Sequence, residues 1–260
     1  MRLLTSIVIS GAILLGTPNN LAASDCPNNS EASSRSRTIA VKPSKFPLVG
    51  KQKYLETLRL NDGEVVLTFD DGPVAPHTPE ILKALAAECV KATFFMMGLN
   101  VAEAPHLARQ VFDAGHSVGF HSFSHADLSK LPFDKAKKDI ELGIEAVTEA
   151  LGPTRRPAPF FRAPYLHITK EIERFLLSRN IIIWDIDADS SDWTFANPEH
   201  VVKNSMAELG KAGKGILLLH DIKAATARAL PFLLWEMKRR GFRTVHVVPE
   251  LSSASGGLAP

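Results

Sequence analysis

The sequence has little net charge, few cysteines and no internal repeat. Its formal net charge is +2, which is too small to indicate a nucleic-acid-binding protein. It has two cysteines, Cys26 and Cys89, so it can form one intramolecular disulfide at most, and two free thiols are the alternative. Beyond the first residues, no apolar stretch is long enough to cross a membrane. What is present, 45% apolar and 22% charged residues, is typical of a globular protein with a sizeable core.

The first 23 residues have the pattern of a secretory signal peptide. Arg2 provides a basic start, residues 3–15 form an apolar segment, and Leu21-Ala22-Ala23 provides small residues for cleavage. The apolar segment is short for a membrane-spanning helix, although an uncleaved anchor is the alternative reading. We therefore expect residues 1–23 to be a signal peptide, no membrane span after its cleavage, and a secreted or periplasmic protein.

The rest of the chain divides by composition into an arm, a domain and a tail. Residues 24–60 are rich in Ser, Asn, Lys and Pro and are predicted to form an irregular arm, and residues 251–260 a disordered tail. Within residues 61–250, seven short apolar runs alternate with six helical patterns. This alternation predicts a parallel α/β domain, either a barrel or an open doubly wound sheet. The runs are EVVLTF, ATFFM, HSVGF, APFFR, IIIWDI, GILLLH and RTVHVV.

Titratable side chains recur at the carboxyl ends of these predicted strands. Parallel strands bring their carboxyl ends to one face, where α/β enzymes build their sites, so residues far apart in sequence are expected to converge there. The residues are Asp70, Asp71, His121, His125, Arg162, Asp185, Asp187, Asp189, Asp192, His220 and Asp221.

Two pairs of these residues, the two histidines and the two adjacent aspartates, suggest a metal centre. His121 and His125 have the spacing that places two imidazoles on one side of a helical turn. Two imidazoles and one carboxylate make a three-ligand site with an open position, which suits zinc, and also cobalt or nickel. Asp70 and Asp71 are adjacent in an extended segment, so their side chains point in different directions. One can therefore bind the metal while the other acts as a general base; a simple turn before Gly72-Pro73 is the alternative.

Five motifs together resemble those of a known family. TFDDGP, HSFSH, RAPY, DSSDW and LLLHD stand in the order and approximate spacing found in the polysaccharide deacetylases, the NodB-homology or carbohydrate esterase four family. The resemblance extends from about Glu64 to Val248. It implies a distorted, partly open (β/α) barrel of about seven parallel strands with a surface groove for a glycan. It also implies metal-dependent removal of acetyl groups, usually from N-acetylated sugars.

The resemblance assigns the metal and the base to particular residues. It implies that Asp71, His121 and His125 hold one divalent ion, most simply Zn²⁺, with Co²⁺ or Ni²⁺ as alternatives. It implies that Asp70 is the general base and that Arg162 orients it.

It also implies the groups that handle the oxyanion and the leaving amine. The backbone N–H of Tyr165 would bind the oxyanion, and His220 would be the general acid. Asp192 would keep His220 protonated, with Asp189 as the weaker alternative. Trp193 and Leu218 would form the wall of the acetyl pocket.

The sequence leaves the substrate open. The expected partner is an acetylated glycan, chitin-like or peptidoglycan-like. An O-acetyl polysaccharide esterase is the alternative enzyme, because the same nucleophile cleaves esters and amides. An inactive glycan-binding protein is the non-enzymatic alternative, but no base or metal ligand of the motifs is missing. The remaining histidines match no motif and are interpreted as bystanders: His77, His106, His116, His167, His200 and His246.

Overall fold

The computed structural model describes residues 37–55 and 57–250. The predicted signal peptide, the predicted tail and Cys26 lie outside the described residues. A Cys26–Cys89 disulfide therefore remains a prediction.

The described residues form one mostly parallel sheet surrounded by helices. Its strands are β1 (Arg37–Val41), β2 (Leu48–Val49), β3 (Glu64–Asp70), β4 (Thr93–Met96), β5 (Ser117–Phe120), β6 (Phe160–Phe161), β7 (Ile182–Trp184), β8 (Ala188–Asp189), β9 (Gly215–His220) and β10 (Arg243–Pro249). The helices are α1 (His77–Ala87), α2 (Gly98–Glu103), α3 (Pro105–Asp113), α4 (Phe133–Leu151), α5 (Lys170–Ser178), α6 (Pro198–Ala212) and α7 (Ala224–Arg239). The seven predicted strands are confirmed, as β3 to β7, β9 and β10.

The sheet is a distorted, partly open barrel. Its strands follow the order β1-β10-β3-β4-β5-β6-β7-β2, while β9 pairs with β3 and β8. Among the described strands no pairing joins β7 to β8, so hydrogen bonds do not close the ring. This arrangement agrees with the prediction of a distorted, partly open α/β barrel.

Alternate residues of the strands face two apolar clusters, because side chains along a strand point to opposite faces. In β3, Val65 and Leu67 pack with the surrounding helices, whereas Val66 packs inside the barrel with Phe95 and Trp184. Every residue of β3 is buried, as expected for a parallel strand covered on both faces.

Part of the expected irregular arm belongs to the sheet, which corrects the prediction for residues 37–60. Strand β1 pairs with β10, with Arg37 opposite Val245, and β2 pairs with β7, with Leu48 opposite Ile183. The partner strands lie far along the chain, so the local composition carries no signal of the pairing. None of the described helices is both long enough and apolar enough to cross a membrane.

Candidate active site

The predicted convergence at the carboxyl ends of the strands is present in the structure. Asp70 is the last residue of β3 and lies opposite His220, the last residue of β9, in the β3–β9 register. His121 directly follows β5, and Arg162 directly follows β6. These four positions therefore lie on one face of the barrel.

Asp71, His121 and His125 form a compact three-residue cluster. Asp71 Oδ1 lies 3.2 Å from His121 Nε2 and 3.1 Å from His125 Nε2. The three candidate ligand atoms all lie within 4.8 Å of one another. Asp71 Oδ1 is buried and makes no hydrogen bond of acceptable geometry, which is costly for a carboxylate oxygen unless a cation satisfies it. Ligands bound to zinc at about 2.0–2.2 Å in a tetrahedron are about 3.3–3.5 Å apart, so these residues fit a divalent ion.

The orientation of His121 also suits metal binding. Its Nδ1 lies 2.8 Å from the carbonyl oxygen of Arg162. A carbonyl only accepts hydrogen bonds, so Nδ1 carries the proton and Nε2 presents its lone pair to the cluster. The His125 ring lies 5.1 Å from the His121 ring and meets the Tyr165 ring edge-on at 4.8 Å.

The two histidines do not share a helical turn, which corrects the local structure predicted from their spacing. They lie in a loop in which Ser122 and His125 both have a φ of 60°. The His125 N–H donates to Ser122 Oγ at 3.2 Å, and the Phe123 N–H donates to Asp139 Oδ2 at 3.2 Å. Helix α4 lies so close that a Cβ on Gly143 would be 2.4 Å from the Ser122 carbonyl carbon. Contact with α4, rather than helical periodicity, brings the two rings together.

Asp70 and Arg162 form a buried ion pair beside the cluster. Arg162 is fully buried, and its Nη1 donates to Asp70 Oδ1 and to Thr68 Oγ1, both at 2.8 Å. Its Nη2 donates to the carbonyl oxygen of Asp185 at 3.3 Å, and the guanidinium lies 4.3 Å from the centre of the Phe95 ring. These contacts hold the guanidinium in one position and thereby fix the direction of the Asp70 carboxylate.

His220 and Asp192 form a second charged pair. His220 Nδ1 lies 2.6 Å from Asp192 Oδ1, and the backbone N–H of His220 donates to Asp192 Oδ2 at 2.8 Å. Thr226 Oγ1 also donates to Oδ2, at 2.5 Å. Burial disfavours the imidazolium, but the hydrogen bond and charge of Asp192, with the charges of Asp70 and Asp71, raise the pKa of His220 to about 9.

Three further predicted residues lie around these groups. Trp193 is 46% exposed, and its ring meets the His220 ring edge-on at 5.5 Å. Tyr165 is 59% exposed and has a φ of 58°. Leu218 is buried, two residues before His220 in β9. The two exposed rings therefore flank the histidines of the site.

The remaining polar residues at the strand ends have structural partners. Asp187 accepts hydrogen bonds from the backbone N–H groups of Lys51 and Ile216, both at 2.8 Å. Asp189 accepts from the Ser191 N–H at 2.7 Å, and Asp192 is the aspartate that hydrogen-bonds to His220. Burial raises the pKa of Asp185 and Asp189.

Of the predicted bystander histidines, His116 is buried and His246 is half-buried. Burial lowers the pKa of His116 to about 3 and that of His246 to about 4, so both are neutral at pH 7. His116 Nδ1 accepts from the Ala92 N–H at 3.1 Å, which is the role of a hydrogen-bonded core histidine.

Sequence reasoning gave no role to three polar residues next to the site. Asp221 directly follows His220 at the end of a predicted strand, and the sequence assigns it no task of its own. In the structure, Thr78 Oγ1 donates to Asp221 Oδ2 at 2.6 Å. Asn100 Nδ2 donates to the carbonyl oxygen of Asp71 at 2.8 Å.

Comparisons with known proteins point to one family. A family model described as polysaccharide deacetylase matches residues 58–179. The peptidoglycan-N-acetylglucosamine deacetylase PgdA of Listeria monocytogenes is 33% identical over 218 residues, which are 83% of this chain and 43% of that protein. A chitooligosaccharide deacetylase of a Bradyrhizobium species is 31% identical over 201 residues, which are 72% of this chain and 90% of that protein.

A solved structure agrees with the sequence matches. The peptidoglycan deacetylase Bd3279 of Bdellovibrio bacteriovorus matches with a TM-score of 0.75 and 31% identity, covering 84% of this chain and 60% of that one. The chain thus spans less than half the length of the Listeria relative and nine-tenths of the Bradyrhizobium relative.

Proposed function

Because the chain belongs to the polysaccharide deacetylase family, we propose that it is a metal-dependent hydrolase that removes N-acetyl groups from a glycan outside the cytoplasm. The observation that carries the proposal is the cluster of three ligand atoms within 4.8 Å, flanked by a buried carboxylate and a protonated histidine. Amide hydrolysis needs a nucleophile, a site for the oxyanion and an acid for the amine, and this face of the barrel offers a group for each.

Asp71, His121 and His125 would hold the divalent ion. Zn²⁺ suits two imidazole nitrogens and one carboxylate oxygen, and Co²⁺ or Ni²⁺ suits the same set. When bound, such an ion supplies Lewis-acid chemistry, which polarises the acetyl carbonyl and makes water a nucleophile at neutral pH.

Asp70 would take the proton from the attacking water. Its partner Arg162 is fully buried and bonded on both terminal nitrogens, so it keeps the carboxylate in one orientation while the proton is transferred. Arg162 also balances the charge of Asp70, which lies in a buried position.

The oxyanion and the leaving amine require hydrogen-bond donors. The backbone N–H of Tyr165 would donate to the oxyanion. His220 would donate the proton of its imidazolium to the departing nitrogen, which leaves as a neutral amine. Asp192 would orient that ring and keep it protonated at neutral pH, since the pKa of His220 is raised to about 9. Trp193 and Leu218 would enclose the acetyl methyl group.

The proposed substrate is an N-acetylated polysaccharide or oligosaccharide. Relatives named for peptidoglycan and for chitooligosaccharides both match the chain, so we propose this class rather than one polymer. The signal-peptide pattern of residues 1–23 supports a secreted or periplasmic location.

The test is acetate release from N-acetylated and O-acetylated polymers. Purified protein is incubated with peptidoglycan, with chitin oligosaccharides and with an O-acetylated polysaccharide, before and after chelation and after zinc is added back. We expect release from at least one N-acetylated glycan, its loss on chelation and its return with zinc or cobalt. Asp71→Asn, which removes one proposed ligand, is the matched inactive control.

Two outcomes would contradict the proposal. Full activity after verified metal removal would exclude the mechanism. Release from the O-acetylated polymer alone, by metal-loaded protein, would identify an esterase instead.

A further inference from the structure

The peptide group that joins Asp71 to Gly72 is held on both sides by side chains outside the proposed catalytic set. Its carbonyl oxygen accepts a hydrogen bond from Asn100 Nδ2 at 2.8 Å. Its N–H donates to Asp221 Oδ1 at 2.9 Å. A peptide group is planar, so two hydrogen bonds from its opposite edges fix its rotation about the chain.

The rotation of this peptide decides where the Asp71 side chain points. Asp71 has a φ of 77°, in the left-handed region that residues with a Cβ rarely adopt because of steric strain. The preceding peptide is also held, because the Asp71 N–H donates to the carbonyl oxygen of Phe95 at 3.2 Å. With the peptides on both sides fixed, the carboxylate is directed at His121 and His125, 3.2 and 3.1 Å away.

Asp221 is held by its own hydrogen bonds and lies directly against the loop that joins β3 to α1. It is 1% exposed, and its Oδ2 accepts from Thr78 Oγ1 at 2.6 Å. Thr78 Oγ1 in turn accepts from the Val74 N–H at 2.8 Å, which ties the carboxylate to both ends of the loop. A Cβ on Gly72 would lie 2.0 Å from Asp221 Oδ2, so the loop reaches the carboxylate only because residue 72 is glycine.

We propose that Asn100 and Asp221 are positioning residues that clamp the Asp71–Gly72 peptide and hold Asp71 in its metal-binding orientation. Neither side chain is placed in the metal cluster, and each acts through the backbone of Asp71. The inference rests on the proposed metal site and adds two residues on which the affinity of that site depends.

Zinc affinity, measured without any substrate, tests the clamp. The dissociation constant is determined by competition with a chromogenic chelator for the parent chain and for Asn100→Ala and Asp221→Ala. Partners that orient metal ligands typically contribute about 10- to 100-fold to affinity, and we expect each variant to lose an amount in this range. The double variant should lose less than the product of the two single losses, because both side chains hold the same peptide.

Three controls separate positioning from general stability. Asp221→Asn keeps an acceptor oxygen for the Gly72 N–H, so it should restore most of the affinity. Thr78→Val removes the partner of the other carboxylate oxygen and should affect zinc less than Asp221→Ala. Met237→Ala creates a cavity at the far end of α7 and should lower the melting temperature without changing the zinc affinity.

The visible absorption spectrum of the Co²⁺ form gives a second measurement, because it reports the geometry of the ligands. It should change in Asp221→Ala and stay unchanged in Met237→Ala. Parent-like zinc affinity in both Asn100→Ala and Asp221→Ala would overturn the clamp alone. So would equal losses of zinc affinity in Asp221→Ala and in Met237→Ala. A parent chain that binds no zinc would overturn the proposed function together with the clamp.

Discussion

Asp70 and Asp71 are neighbours in the chain, but their side chains have different surroundings. Asp70 is buried against the guanidinium of Arg162 at 2.8 Å. Asp71 leaves the strand with a φ of 77° and lies between two imidazoles. A carboxylate between two imidazoles suits a metal ligand, and a carboxylate held by a guanidinium suits a base. The adjacent aspartates are therefore expected to divide two tasks.

Substitution of each aspartate by asparagine should separate these tasks. Asp70→Asn should keep the metal and lose about 10²-fold or more in turnover, as expected when a general base is removed. Asp71→Asn should lose the metal itself. Metal content after dialysis and acetate release together distinguish the two. A metal-free Asp70→Asn beside a metal-loaded Asp71→Asn would show that the assignment is reversed.

The proposed acid can be tested through the leaving group. An amine leaves only when it is protonated, whereas an activated ester has a leaving group that departs without a proton. We therefore expect His220→Ala to lose about 10²- to 10⁴-fold in kcat/KM on an N-acetylated sugar and far less on an activated acetyl ester. Equal losses on both substrates would remove His220 from this role.

The pH profile tests the partner of that acid. Asp192 helps to raise the pKa of His220 to about 9, and the acid is active only while protonated, so the basic limb of kcat/KM reflects this pKa. Asp192→Asn removes the negative charge and lowers the pKa of His220. The basic limb should move to lower pH, as measured on the same N-acetylated substrate. An unchanged limb would mean that another group sets it.

Among the elements, helix α4 shapes the histidine loop from outside the site. Gly143 lies on the buried face of α4, and a Cβ there would collide with the backbone of Ser122 at 2.4 Å. The loop cannot move away without displacing His121 or His125. The proposed metal centre is thus expected to depend on a residue that carries no chemistry.

Gly143→Ala should therefore weaken metal binding and lower stability by about 1–3 kcal/mol, the usual cost of overpacking. The matched control is Gly210→Ala in α6, where an added Cβ has nothing within 4 Å. That variant should keep its metal affinity and gain up to about 1 kcal/mol, because alanine is the better helix former. The comparison uses thermal unfolding and the zinc dissociation constant. Equal metal affinities in the two glycine variants would contradict the role of α4.

At the scale of the whole molecule, the N-terminal segment completes the barrel. Val41, Val49, Leu58 and Leu60 are buried in the inner apolar cluster. Full burial of one such side chain contributes about 1.5–3 kcal/mol, and a domain is stable by only about 5–15 kcal/mol in total.

A chain that begins at residue 61 should consequently be much less stable than one that begins at residue 37. Chemical denaturation of the two truncated chains, both ending at residue 250, measures the difference. Equal unfolding midpoints would show that the segment adds nothing to the domain.

The sequence alone determined the positions of seven strands along the chain and the polar residue types at their ends. Buried strands such as EVVLTF and GILLLH are continuous apolar runs, and the polar residue that ends each run stands out against them. Because parallel strands end on one face, the convergence of Asp70, His121, Arg162 and His220 followed from the pattern. The five motifs then indicated the family.

Only the tertiary structure decided how the proposed metal ligands are held in place. The left-handed backbone of Asp71 depends on contacts with Asn100 and Asp221, which lie 29 and 150 positions away in the chain. The left-handed backbone of Ser122 depends on contact with Gly143, 21 positions away. The pairing of β1 with β10 likewise joins two distant segments. Local composition predicts local conformation such as a strand or a helix. A strained backbone conformation at one residue persists only because distant segments pack against it, so it cannot be predicted from local composition. For that reason the convergence of polar residues at the strand ends could be predicted from the sequence, and the contacts that hold their backbone in place could not.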